Sequence, residues 1–148
     1  MAFKDPEASE LASMINMILG ADASAAVASG VDASSMSHTA MYVDDEGKEV
    51  ATCRCALPTA AALGCALSMI PPGGAEAMVE DNELSQMATD NLYEVMNMFS
   101  SLLMDDKSSH LKLVSVDASN DESIQGSSFE FDIDLGNYGK GQLMFNVA

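Results

Sequence analysis

The stretch from about Asn82 to Met104 restricts the fold more than any other part of the chain. Ala88, Leu92, Val95, Phe99 and Leu102 recur at spacings of four, three, four and three, the period of an α-helix with one buried stripe. Asp90, Glu94, Asn97 and Ser101 recur at four, three and four and fall on the opposite side. A helix patterned this way lies on an apolar layer and shows its other side to solvent. The residues that follow supply that layer. Leu111 to Val116, Phe129 to Leu135 and Gln142 to Val147 read as strands. In the second of them Phe129, Phe131, Ile133 and Leu135 alternate with Glu130, Asp132 and Asp134, the period of a half-buried strand.

The upstream half reads in the same way. Asp5-Pro6-Glu7 has the make-up of a helix start, with a capping Asp, Pro in the first turn and an acid at the positive end of the helix dipole. Leu11, Met14, Ile15 and Ile18 follow at helical spacing. They predict a first helix from about Pro6 to Ala28, with Gly20 as an interruption and Gly30 as a stop. Residues 31–37 are Ser-rich and read as a loop or the approach to a strand. Met41 to Val43 and Val50 to Leu57 predict a hairpin around the polar turn 44–49, where Gly47 is free to take a positive φ. Neither side of the second strand is strongly polar, so it is expected inside the sheet. Arg54 within it marks either a sheet edge or one half of an ion pair. Pro58 opens a second helix, Thr59 to about Ile70, whose small residues allow close packing on a sheet, and Pro71-Pro72-Gly73-Gly74 ends it. The predicted fold is α/β (α+β): a mixed, mainly antiparallel sheet of about six strands, with the two long helices packed side by side on one face. The 148 residues suit a single domain, 1–148.

Acids outnumber bases 23 to 6, a net charge of −17. That sign argues against nucleic acid and against anionic membrane surfaces; it reads first as a means of solubility, with docking on a basic patch of a protein partner as the alternative. No run of about 18 apolar residues offers a bilayer span. The opening MAFKDPEASE lacks the apolar core of a signal peptide, so the expected location is the cytoplasm. Cys53, Cys55 and Cys65 read as free thiols, with a catalytic cysteine the weaker reading. His38 and His110 are far apart and there is no Cys-x-x-Cys, so no metal site and no cofactor are expected. Gly73-Gly74 follows two prolines and opens no phosphate loop, which leaves a plain small-molecule-binding protein without support. The methionines of the long helices, among them Met14, Met17, Met87, Met96, Met98 and Met104, read as core filling, with an adaptable partner surface as the alternative.

The polar stripe of the 82–104 helix could be an ordinary solvated face, but the first helix repeats its plan. Ser9, Ser13, Asn16 and Gly20 have the same four, three, four spacing. Setting Ser13 on Glu94 gives an offset of 81 positions, which also sets Leu11 on Leu92, Asn16-Met17 on Asn97-Met98 and Ile18 on Phe99. This predicts two pseudo-repeats, about 1–57 and 82–148, with their long helices related by a pseudo-two-fold. Glu94 and Asn97 stand about one turn apart on one face. A side-chain amide offers both an acceptor and a donor and can aim a water, and a carboxylate one turn away can grip a cationic side chain. With no nucleophile and no His nearby, the chemistry within reach is hydrolysis of an already reactive bond, such as an acyl phosphate, by a positioned water.

Asp90-x-x-x-Glu94-x-x-Asn97 resembles the Asp/Ser-x-x-x-Glu-x-x-Asn phosphatase motif of the CheC/CheX/FliY family of bacterial chemotaxis, whose members dephosphorylate the response regulator CheY. The order of elements is similar across most of the chain, and so is the Gly-bearing turn from Asp134 to Leu143. The short chain and the single complete motif resemble the CheX branch. The resemblance implies that Asn97 orients the attacking water toward the phosphoaspartate of a CheY-type receiver domain and that Glu94 pairs with the receiver's active-site lysine. It implies that Asp90 takes the motif's first, more variable position; Asp90 and Ser101, at the two ends of the polar stripe, are the candidate binding residues. Mg²⁺ would sit on the receiver, not on this chain. Ser13 replaces the motif's Glu on the first helix, so that helix is expected to be inactive or only structural. A homodimer, by sheet extension, is the implied assembly. The competing reading is a non-catalytic relative that docks on chemotaxis or two-component signalling proteins.

Overall fold

The alternation in the last third of the chain dictates a hairpin, and the chain builds one. Ser127–Asp134 (β5) and Lys140–Val147 (β6) pair antiparallel, with Phe129 opposite Phe145 and Phe131 opposite Leu143. His38–Val43 (β2) and Glu49–Cys55 (β3) form the other hairpin. Its turn is closed by Asp44, whose carboxylate accepts the Glu46 and Lys48 N–H groups at 2.9 and 3.0 Å, with Gly47 at φ +79°. β3 pairs with β6, Lys112–Asp117 (β4) with β2, and Ser24–Val27 (β1) with β5. The computed structural model describes residues 3–19 and 23–148. In these the six strands form one sheet in the order β1-β5-β6-β3-β2-β4, and every pairing is antiparallel. No strand is parallel to a neighbour among the described residues, so the mixed character expected of the sheet is not found.

One face of the sheet carries the helices Ala8–Leu19 (α1), Leu57–Leu67 (α2) and Gln86–Phe99 (α4). Leu11, Ile15 and Ile18 of α1, Leu63 of α2 and Leu92, Val95, Met96 and Phe99 of α4 share one core with Tyr42, Cys53, Cys55, Phe131, Leu143 and Phe145 of the sheet. Phe99 reaches the sheet through Phe145 at a ring-centroid distance of 6.3 Å, and Phe131 meets Phe145 edge-on at 5.9 Å. Burial pushes the Cys53 and Cys55 thiols up, Cys55 to about 12. All three cysteines are free and buried, so they serve as small apolar groups of the core.

Three expectations about the helices need correction. The first helix does not run to Ala28: α1 ends at Leu19 and residues 24–27 are the edge strand β1. Gly20 lies outside the described residues. Ser24-Ala25-Ala26-Val27 has no strand signature of its own, and its pairing with Phe131–Asp134 supplies the hydrogen bonds that hold it extended. Pro71-Pro72-Gly73-Gly74 ends α2 but also starts a further helix, Pro72–Asp81 (α3), because proline is tolerated in a first helical turn. The third predicted helix shortens to α4, capped by Ser85 and continued by a 3-10 turn, Ser100–Leu103. The small residues of α2 also serve helix packing as well as sheet packing. A Cβ at Gly64 would come within 2.6 Å of the Ala88 carbonyl oxygen, so α2 and α4 approach more closely there than a side chain would permit.

Arg54 is not at an edge. β3 is interior, and the guanidinium lies 4% exposed on the face away from the helices. It donates to the side-chain oxygens of Asn120 and Asn146, each at 2.8 Å, with Glu122 looser at 3.7 Å. Asn120 in turn donates to the Ala33 carbonyl at 2.9 Å. Arg54 thus pins two loops, around residues 33 and 120, over that face.

Candidate functional site

α4 forms because its sequence supplies both a start and a buried stripe. The Ser85 hydroxyl accepts the Ala88 N–H at 3.1 Å, satisfying a first-turn donor, and Ala88, Leu92, Val95, Met96 and Phe99 are buried. Three polar contacts then fix it. Tyr42 of β2 donates to the Met96 carbonyl at 2.6 Å. Asn91 donates to the Gly64 carbonyl at 2.8 Å and the Ser68 hydroxyl at 2.7 Å, tying α4 to α2. Tyr93 donates to the Leu113 carbonyl of β4 at 3.3 Å. A helix held from below and on both flanks presents its remaining face as a rigid surface.

That face carries the four residues singled out from the sequence. Asp90, Glu94, Asn97 and Ser101 are all exposed, the first three on α4 and Ser101 on the 3-10 turn. Glu94 and Asn97 lie about 4.5 Å apart along the helix axis. Among the described residues neither side chain has a hydrogen-bond or ion-pair partner, so both are free to engage a second molecule. The other two are engaged locally. Asp90 accepts from the Gln86 amide at 2.8 Å, and the Ser101 hydroxyl donates to the Met98 carbonyl at 2.9 Å. Gln86, one turn before Asp90, was not singled out from the sequence, although its spacing of four from Asp90 is the usual signal for such a pair.

The equivalent position on α1 is built differently. The Asn16 side-chain oxygen accepts the Ala23 N–H at 2.7 Å and the residue is half-buried. Its amide therefore closes the chain's exit from α1 and does not face solvent as Asn97 does. Ser9 and Ser13 are exposed. The methionines divide as well. Met96 is buried and Met14, Met98 and Met104 are partly buried, but Met17 is 76% and Met87 56% exposed, so core filling does not describe those two.

The electrostatic setting follows from composition. From Cys55 to Asp106, a span that contains α2, α3 and α4, there is no Lys or Arg. α1 has none either, and Lys4 just before it is paired with Glu10. A concavity lined in part by Ser24, Met36, Thr59, Asp132 and Lys140 includes none of the α4 stripe. The three α4 residues of the stripe, Asp90, Glu94 and Asn97, are solvent-exposed on the helix surface. Among the described residues no three His, Cys, Asp or Glu side chains gather as a metal site, and no helix is long and apolar enough to cross a membrane.

No family model matches this sequence and no curated protein matches it. Solved structures do. The FliM middle domain from H. pylori superposes with a TM-score of 0.67 at 11% identity, over 95% of this chain and 84% of that one. FliY from Thermotoga maritima gives 0.63 at 17% identity, over 93% and 81%. CheX in the CheX–CheY–BeF3–Mg²⁺ complex from Borrelia burgdorferi gives 0.54 at 13% identity, over 91% and 90%. The chain has the CheC/CheX/FliY fold. At these identities the likeness speaks to the fold alone.

Proposed function

We propose that this protein is a phosphatase of the phosphoaspartate on a CheY-type receiver domain, with Glu94 and Asn97 as its working pair. The observation that carries the reading is the exposed and unpartnered state of these two side chains, one turn apart on a helix locked in place by Asn91, Tyr93 and Tyr42. The Asn97 side-chain carbonyl accepts a hydrogen bond from the attacking water and so aims its lone pair at phosphorus. The water oxygen bonds to phosphorus and the bond from phosphorus to the aspartyl oxygen breaks. The aspartate leaves as carboxylate, and both water protons go with the released dihydrogen phosphate. Glu94 pairs with a lysine of the receiver, drawing it from the phosphoryl group and fixing the docked pose. Asp90 and Ser101 border the contact. Any divalent cation of the reaction is held by the receiver.

The near-equal coverage of this chain and CheX supports a CheX-like rather than FliY-like arrangement. The strands at the ends of the sheet, β1 and β4, leave backbone edges on which a second copy could add. A docking role without catalysis is the second reading, favoured by the higher TM-score of the FliM middle domain, 0.67 against 0.54 for CheX. One experiment separates them. The protein is mixed with a receiver domain carrying radiolabelled phosphate, and loss of label is followed beside a receiver-only control. Faster loss that disappears in Asn97→Ala supports the phosphatase. Loss at the control rate leaves the docking role.

A further inference from the structure

The polar stripe of α4 does not end in open surface. Ser101, its last member, also lines a groove between α1 and the 3-10 turn that follows α4. Leu102 and Met14 contribute apolar surface to that groove, and Ser9, Ser13 and Met17 of α1 line it with them. Leu102 is 2% exposed and Met14 half-buried, whereas Met17 stands 76% exposed. An exposed methionine beside an apolar recess is the make-up of a contact surface, and the flexible thioether adapts to what arrives.

Distance and charge indicate the occupant. Asn97 and Ser101 are about 6 Å apart along the helix axis. A standard protein footprint covers about 800 Å² per partner, so a domain seated over Asn97 also covers this groove. Neither α1 nor α4 contains Lys or Arg, and Glu10, the acid at the groove, is matched by Lys4. The combined surface is apolar at the groove and acidic along the stripe, which complements a basic partner surface that carries an apolar side chain beside its cation.

We propose that the groove lined by Met14, Met17 and Leu102 receives an apolar side chain of the same receiver domain whose phosphoaspartate faces Asn97. This rests on the receiver reading above and adds a role for α1: it docks the substrate and does not hydrolyse it. The first helix then keeps its place beside the site although Asn16 is committed to Ala23. Met17 sets how tightly a receiver is held and takes no part in positioning the water.

The test uses binding, which does not depend on turnover. A fluorescently labelled receiver domain loaded with beryllofluoride and Mg²⁺ is titrated with the full chain, and kcat and KM are measured separately on the phosphorylated receiver. Met17→Lys places a like charge against the basic partner and is expected to weaken binding and raise KM about tenfold with kcat unchanged, while Met17→Leu stays within about twofold of the parent. Met17 is exposed, so both variants should fold, and circular dichroism checks it. Binding unchanged in a folded Met17→Lys overturns the groove whatever the hydrolysis shows. Binding weakened by Met17→Lys in a protein that hydrolyses nothing keeps the groove and overturns the phosphatase reading. No binding by the parent protein overturns both.

Discussion

Asn16 and Asn97 sit at matching points of two helices that share spacing, neighbours and an Asn-Met pair, yet one is half-buried and bonded to Ala23 while the other is exposed and unpartnered. The difference lies in what the chain does next. After α1 the described chain resumes at Ala23, which donates to Asn16, and then enters β1 at the sheet edge. After α4 the helix tightens into a 3-10 turn, and Leu102 and Leu103 take the chain down into the core. Among the described residues nothing folds back over Asn97, which stays exposed. An amide whose oxygen is held on a backbone N–H has one lone pair committed and its side chain fixed toward that group, not toward a water on the helix surface. A repeated spacing therefore does not imply a repeated site.

The comparison can be broken most directly at Asn97. Asn97→Ala should lower the hydrolysis rate about 10²-fold or more, since loss of positioning alone can cost that much, while stability changes by no more than about 0.5 kcal/mol at this exposed position. The measurement is label loss from the phospho-receiver, with a urea melt on the same sample. A folded variant with undiminished activity would remove α4 as the working helix. Glu94→Ala comes next. A carboxylate that pairs with a lysine in a covered interface is worth about 2 kcal/mol when truncated, so receiver binding should weaken about 30-fold, with the rate at subsaturating receiver falling in step.

Asn16→Ala should show the opposite pattern. Removing a half-buried acceptor from the Ala23 N–H should cost about 1 kcal/mol of stability and leave kcat within about twofold. A rate loss equal to that of Asn97→Ala in a fully folded sample would mean two working sites. The smallest effect is the sharpest discriminator. Ser13→Glu completes the motif on α1 and, because Asn16 remains engaged, should add no activity. A near-doubling of the rate at saturating receiver would show that Ser13 alone had kept α1 silent.

Much of the architecture was legible because it depends on local period. The stripe through Ala88, Leu92, Val95 and Phe99 can be buried only as a helix, and Phe129, Phe131, Ile133 and Leu135 can face one way only in a strand. The interior place of β3 was legible too, since neither of its faces is polar enough for solvent. Glu94 and Asn97 were legible as a pair for the same reason, being polar residues on the far side of a stripe whose burial is forced. The exposure of Met17 and Met87 was not. A methionine at helical spacing fits either a core or a contact surface, and the neighbours of the helix decide which.

What the sequence alone determined, then, is whatever follows from the spacing of apolar and polar side chains along a single element: the strand pairs, the buried side of α4 and its opposite polar stripe. Tertiary structure decided whatever depends on groups distant in the chain. Ser24–Val27 is a strand because Phe131–Asp134 offers it an edge. The two terminal nitrogens of Arg54 find acceptors because Asn120 and Asn146 arrive from two other segments. Asn16 is closed because Ala23 returns to it, whereas Asn97 stays open because the chain after it turns inward. Side-chain periodicity is a property of the local backbone. The hydrogen-bond partner that ends up beside a given amide is a property of the whole packed chain, and at these two asparagines it separates a structural residue from a candidate catalytic one.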